Sequence, residues 1–277
     1  MASSREIPSI ALAGDISIPQ FGLGVFQVPP EETAENVRHA IEAGYRHIDT
    51  AKAYENEAQV GQAVRASGID RSEFFITTKC WNDDQGYDSA TRALKTSLGQ
   101  LEMEHVDLYL IHWPAPSQDR YLESWRALIE AQQAGLARSI GVSNFQPAHL
   151  RRIIDETGVT PAVNQIELHP YLQQHGLRRE HADLGIVTEA WSPLAQGGVL
   201  DDPAIVAIAE AHGKTAAQVV LRWHVQLGVV VFPKSISVER MRENIDVFDF
   251  ELTAEELAQI EAVDRGERTG PDPDEFD

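Results

Sequence analysis

The 277-residue chain is predicted to fold as an α/β protein, a (β/α)8 TIM barrel with an N-terminal β-hairpin and an extra C-terminal helix and tail. Three observations lead there. Eight strand-like apolar runs alternate with helical stretches, and no proline- or glycine-rich linker divides them. The ends of those runs recur at barrel spacing. Thirty positions separate Asp49 from Lys79 and 33 separate Lys79 from His112, against ~31 per unit in a barrel of ~250 residues. The competing open doubly wound sheet is announced by Gly-x-Gly-x-x-Gly after its first strand, whereas Gly22-Leu23-Gly24 runs on into Val25-Phe26-Gln27. Residues 1–277 therefore read as one domain.

The elements follow in order. Ile10–Leu12 and Ile16–Ile18, separated by Ala13-Gly14-Asp15, form the expected hairpin. Phe21–Val25 is an apolar, glycine-punctuated strand, and 31–43 is a helix with Ala34, Val37 and Ile41 at helical spacing. A strand over 45–49 leads into a helix over 56–67. Phe74–Thr78 is a strand ending at Lys79, followed by a helix over 89–101. Val106–Ile111 is a strand ending at His112, 121–134 a helix, and Ser139–Ser143 a strand. Further strands are expected at 162–167, 187–191 and 229–232, with helices between them. A helix is expected to begin near Ser237. An acidic amphipathic helix over 253–262 stands outside the eightfold count, and the tail from Gly266 to Asp277 reads as a loop over one rim.

Composition sets bounds on function. A net charge of −20 repels nucleic acid and anionic membranes. A single cysteine, Cys80, excludes an internal disulfide and any multi-cysteine metal cluster. No run of ~18 apolar residues is present, and Met1–Pro8 lacks the build of a signal peptide. The expectation is a cytoplasmic monomer acting on a small molecule.

In a barrel, chemistry gathers where strands end. Those ends bring Asp49, Lys79 and His112 to one rim, with Tyr54 in the loop after Asp49. A phenol is a poor acid at neutral pH unless a cation is held beside it. Lys79, between Asp49 and Tyr54, is expected to lower the phenol's pKa and make it a general acid. His112 would hydrogen-bond a carbonyl oxygen. Taken singly, Asp49 reads equally well as a helix cap and Tyr54 as a core edge, while a strand-end Lys79 is more often surface charge and a lone His112 more often a structural imidazole. Their convergence on one rim favours the functional reading.

These residues sit in longer motifs. Gly44-Tyr45-Arg46-His47-Ile48-Asp49-Thr50-Ala51 is one; Leu98-Gly99 followed by Val106-Asp107-Leu108-Tyr109-Leu110-Ile111-His112-Trp113-Pro114 is a second. Pro233-Lys234-Ser235 with Arg240 and Glu243-Asn244 is a third. On these motifs the chain resembles the aldo-keto reductases over essentially its whole length. Ser139–Asn144, Asn164–Pro170 and Arg222-Trp223-His224 resemble the bacterial 2,5-diketo-D-gluconate reductase branch.

The resemblance implies NADPH-dependent reduction of aldehydes, ketones or diketones, without a metal. Asp49, Tyr54, Lys79 and His112 would form the catalytic tetrad, with Tyr54 as the acid. It also implies cofactor contacts from Gly24, Val25 and Phe26, and from Ser143, Asn144 and Gln165 at the nicotinamide carboxamide. Trp191 would stack on the nicotinamide, and Ser192, Leu194, Gln196 and Gly197 would run along the pyrophosphate. Lys234, Ser235, Ile236, Arg240, Glu243 and Asn244 would hold the adenosine end. Phe26, Trp81, His112 and Trp113 would face substrate. Plain rim packing is the alternative for each aromatic, and offsetting of Glu239 and Glu243 is the alternative for Lys234 and Arg240.

Lys52 departs from the resemblance, standing where a small residue is usual, and puts a second cation near the site or just outside it. The short tail implies an open, tolerant pocket. Two other functions compete: a catalytically weak binding module of the same fold that senses nicotinamide cofactor, and a metal-dependent barrel hydrolase using His112 and His169. The intact tetrad disfavours the first. The second lacks a His-x-His pair among the ten histidines.

Overall fold

The computed structural model describes residues 7–277, so the reading of the N-terminal segment falls mostly on residues 1–6, outside the described part. β1 (Ser9–Leu12) and β2 (Ile16–Pro19) pair antiparallel as the expected hairpin, turning through Gly14 and Asp15 at positive φ. Eight strands then form one parallel sheet. They are β3 (Leu23–Gly24), β4 (His47–Asp49), β5 (Phe75–Cys80), β6 (Val106–Ile111), β7 (Ala137–Ser143), β8 (Val163–Glu167), β9 (Val187–Trp191) and β10 (Val230–Val231). Each pairs with the next in sequence. Single bridges, Phe21 to Val231 and Gly24 to Lys234, bring the last strand back to the first.

Strands buried on both faces are near-continuous in apolar residues, and every residue of β5, β6 and β8 is buried. Inside the sheet, Leu12, Ile16 and Ile18 of the hairpin pack with Phe75, Leu108, Leu110, Val163, Val230 and Phe232, plugging the end where the strands begin. A larger core lies between sheet and helices. The helices are α1 (Pro30–Glu42), α2 (Glu57–Ala66), α3 (Tyr87–Leu101), α4 (Tyr121–Gln133), α5 (Pro147–Thr157), α6 (His175–Leu184), α7 (Pro203–His212), α8 (Ala216–Gln226), α9 (Val238–Ile245) and α10 (Ala254–Glu261). α10 is the expected extra helix, opened by a capping box between Thr253 and Glu256. Among the described residues, no helix is long and apolar enough to cross a membrane.

The strands at the seam are shorter than the sequence suggests. Phe21–Val25 contracts to Leu23–Gly24, and 229–232 contracts to Val230–Val231. Pro233 has no N–H to extend the ladder. A Cβ on Gly24 would lie 2.9 Å from the Phe232 carbonyl oxygen, so the backbones meet there only because a side chain is missing.

Candidate active site

β4 delivers Asp49 to its C-terminal end, and β5, its neighbour, delivers Lys79. Both side chains are buried. Lys79 Nζ donates to Asp49 Oδ1 at 2.6 Å and to the Thr50 carbonyl at 2.9 Å, and lies 3.4 Å from the Tyr54 hydroxyl. Tyr54 rides on a single 3-10 turn, Lys52–Tyr54, which ends with Glu55 at φ 57°. Asn56 fixes that turn: it accepts from the Thr50 hydroxyl at 2.7 Å and donates to the Val25 carbonyl at 3.0 Å. The sequence marked Thr50 only by its place inside the first motif and Asn56 only as the start of a helix.

His112, just past β6, sets its ring edge-on to those of Tyr54 and Trp81, with centroids 5.6 and 5.1 Å away. Burial, assisted by the Lys79 charge, holds its pKa well below the ordinary value, so the ring is neutral. A neutral imidazole carries one N–H. His112 can therefore direct a single hydrogen bond to a carbonyl oxygen without adding charge. All four tetrad residues converge, as the sequence implied.

One expectation is corrected. Tyr54's pKa is raised, because burial outweighs the lowering pull of Lys79, and Asp49 adds to the rise. Lys79 itself is depressed by burial, yet Asp49 and the phenol more than offset this and leave the ammonium above its usual value. Tyr54 thus stands as a protonated phenol beside a firmly charged ammonium. Lys52 is also clarified: it pairs with Asp84 on the next strand-end loop and is not a second cation of the tetrad.

The residues implied for the cofactor line the same rim. Gln165 donates through Nε2 to Asp49 Oδ2 and to Glu189 Oε2, both at 2.9 Å. Ser143 donates to the Gln165 carbonyl at 2.8 Å. Asn144, at φ 64°, donates to the His112 carbonyl at 3.0 Å and accepts from Trp191 Nε1 at 2.8 Å. That bond and its partial exposure set Trp191 apart from ordinary barrel packing. After β9 the backbone is left-handed at Ser192, Ala195, Gln196 and Gly197, a form in which successive N–H groups can face an anion. Leu194 is half-buried beside them.

Gly24 and Val25 are buried at the seam, and Phe26 is 55 % exposed with its ring 5.0 Å from that of Tyr54. Lys234, Ile236 and Arg240 are exposed around the N-terminus of α9, which Ser237 caps. Ser235 and Asn244 are buried there. Glu243 accepts from the Thr215 hydroxyl at 2.7 Å, and no ion pair to Lys234 or Arg240 occurs among the described residues. Two unpaired cations at a helix N-terminus suit a phosphate, which disfavours the reading that they offset acidic neighbours. The donor set fits a phosphorylated dinucleotide.

The tail crosses this rim as expected. Thr269 donates to the buried Glu167 carboxylate through N and Oγ1, both at 2.5 Å, and His169 lies 3.1 Å from the same oxygen. His169 is thus part of the tail's anchor. Phe276 then stacks 4.6 Å from Trp113 and 6.3 Å from Trp81, completing an aromatic wall that also includes Trp191. The sequence singled out neither Phe276 nor Glu189. The aromatic near the chain's end was the available sign for one, and an acid inside a buried strand was the sign for the other.

Known proteins place this arrangement. The family model described as the aldo/keto reductase family matches residues 19–265. An aldo-keto reductase of Mycobacterium sp. (strain KMS) is 53% identical over 97% of this chain and 98% of its own. The methylglyoxal reductase DkgA of Escherichia coli is 52% identical over 94% of each chain. The crystal structure of a Gox0644 mutant in complex with NADPH superposes with a TM-score of 0.95 at 49% identity, covering 99% of this chain and all of the other. With a barrel, a tetrad and relatives this similar across nearly its full length, the chain belongs to the aldo/keto reductase family.

Proposed function

We propose that this protein reduces the carbonyl of small aldehydes, ketones or diketones to an alcohol, using NADPH, with Tyr54 as the proton donor. The observation that carries the reading is Lys79, buried between Asp49 and Tyr54 at 2.6 and 3.4 Å. NADPH, when bound, supplies the hydride. The chain's own residues do the rest. His112 orients the carbonyl oxygen, and Tyr54 gives that oxygen its proton. Lys79 stabilises the phenolate left behind, while Asp49 keeps Lys79 charged and fixed.

Gln165, Ser143 and Asn144 would hold the carboxamide, and Trp191 would pin one face of the nicotinamide. Ser192, Leu194, Gln196 and Gly197 would follow the pyrophosphate. Lys234, Ser235, Arg240 and Asn244 would take the adenosine phosphate. Phe26, Trp81, Trp113 and Phe276 would wall the pocket that takes the carbonyl substrate. The name methylglyoxal reductase on a 52% identical relative supports small dicarbonyls as the first substrates to try. We assign residues 1–277 to one domain acting as a cytoplasmic monomer, and the charge of −20 supports the absence of a nucleic-acid partner.

The test is direct. NADPH absorbance should fall when purified protein meets methylglyoxal, simple aldehydes or diketones. NADPH binding with no turnover across that panel would favour the cofactor-sensing module instead.

A further inference from the structure

Resting on the NADPH reading, we infer that Glu189 is a buried neutral acid that positions Gln165 and, on ionising in alkaline solution, shifts the site's preference from reduced to oxidised nicotinamide. Glu189 lies in the middle of β9 and is fully buried. Its Oε2 accepts from Gln165 Nε2 at 2.9 Å, and its Oε1 meets no donor among the described residues. An ionised carboxylate spreads its charge over both oxygens, and leaving one of them buried and unbonded is costly. A proton on Oε1 removes the charge, which is the larger part of that cost. Burial first, and then the Asp49 charge, push the Glu189 carboxyl up to about 8.

The groups facing it are few. From β4 it meets Asp49 and from β5 Lys79, while from β8 it meets only the amide of Gln165. Val230 is its partner on β10 and carries no charge. With Glu189 neutral, the Asp49 carboxylate and the Lys79 ammonium balance. Gln165 then has both amide hydrogens directed inward, which leaves its carbonyl oxygen for the rim. Ionisation of Glu189 makes the cluster net negative. A neutral ring, the reduced nicotinamide, gains nothing from that charge. A cationic ring, the oxidised nicotinamide, gains electrostatic attraction. Glu189 is a positioning residue, acting through Gln165 and through its charge.

The test compares wild type with Glu189→Gln, whose amide replaces the neutral acid atom for atom and cannot ionise. Fluorescence titrations would give Kd for NADPH and for NADP between about pH 6 and 9.5. Both ligands carry the same 2′-phosphate, so its titration cancels in the ratio. In wild type, the ratio of Kd(NADPH) to Kd(NADP) should rise on the order of tenfold across pH 8, and in Glu189→Gln it should stay flat. Thermal unfolding of the nucleotide-free proteins gives a second readout. A carboxyl raised in the folded state contributes stability that is lost as pH rises through its folded value. Wild type should therefore lose Tm over this range faster than Glu189→Gln. Parallel ratios in the two proteins would overturn the inference alone. Absence of NADPH binding at every pH would overturn it together with the cofactor reading.

Discussion

Lys79 presents its ammonium 5.0 Å from the centre of the Tyr54 ring and 3.4 Å from its hydroxyl, a distance longer than its bond to Asp49. The cation is secured by the carboxylate and aimed at the phenol. In this resting geometry Tyr54 keeps its proton firmly. Its acidity is called on when negative charge begins to build on the substrate oxygen.

Tyr54→Phe keeps the ring and its contact with Phe26 while deleting the hydroxyl. General acid catalysis contributes ~10²–10⁴-fold, so turnover should fall by that factor with NADPH affinity nearly unchanged. Steady-state rates beside fluorescence titrations check both halves. Undiminished turnover would remove Tyr54 from the proton transfer.

Lys79→Met leaves Asp49 buried without its cation. Breaking a buried pair costs ~3–5 kcal/mol, so a lower Tm should accompany the lost activity. Asp49→Asn in the same background should recover stability without recovering turnover. Reduction at wild-type rate by folded Lys79→Met protein would refute the assignment.

Arg240→Ala addresses the adenosine end. A charge-assisted hydrogen bond contributes ~1.5–3 kcal/mol, so NADPH binding should weaken roughly ten- to a hundredfold while NADH binding barely changes. The difference should shrink as salt is added, since Arg240 is exposed. Equal weakening of both nucleotides would make Arg240 structural.

Acid should destabilise the fold through its buried histidines. Burial, opposed by the Asp49 and Asp107 charges at His47 and helped by Arg178 at His181, lowers both rings to about 4. A base depressed in the folded state contributes stability that is present above its unfolded value of ~6.5 and lost as pH falls through the folded one. Each histidine accounts for about 3 kcal/mol between those limits. Urea unfolding between pH 7 and about 4 should follow that slope, and His181→Gln should flatten it. An unchanged slope in the variant would acquit His181.

Much of this was legible in the sequence because a barrel turns chain order into spatial order. Asp49, Lys79 and His112 share a rim since each ends a strand and consecutive strands are neighbours. The direction of Tyr54's pKa was not legible: it depends on how deeply the ring and Lys79 are buried together, and spacing does not encode depth. Glu189 was passed over as one residue of an apolar run. The pleat puts it on the face it shares with Val187 and Trp191, but only the assembled barrel shows Gln165 reaching it. The seam strands were overdrawn because their apolar residues look like any other run, while closure allows only isolated bridges there.

That seam has a mechanical consequence. A hoop opens at its clasp, and this one is fastened by two-residue strands and a contact that tolerates only hydrogen at Gly24. Backbone amides around residues 22–25 and 230–234 should therefore exchange with solvent sooner than those of β5 to β8. The proposed cofactor contacts lie on both sides of this join, at Gly24–Phe26 and at Lys234–Asn244. A nucleotide spanning them would act as a rivet, making the ligand part of the barrel's own circumference.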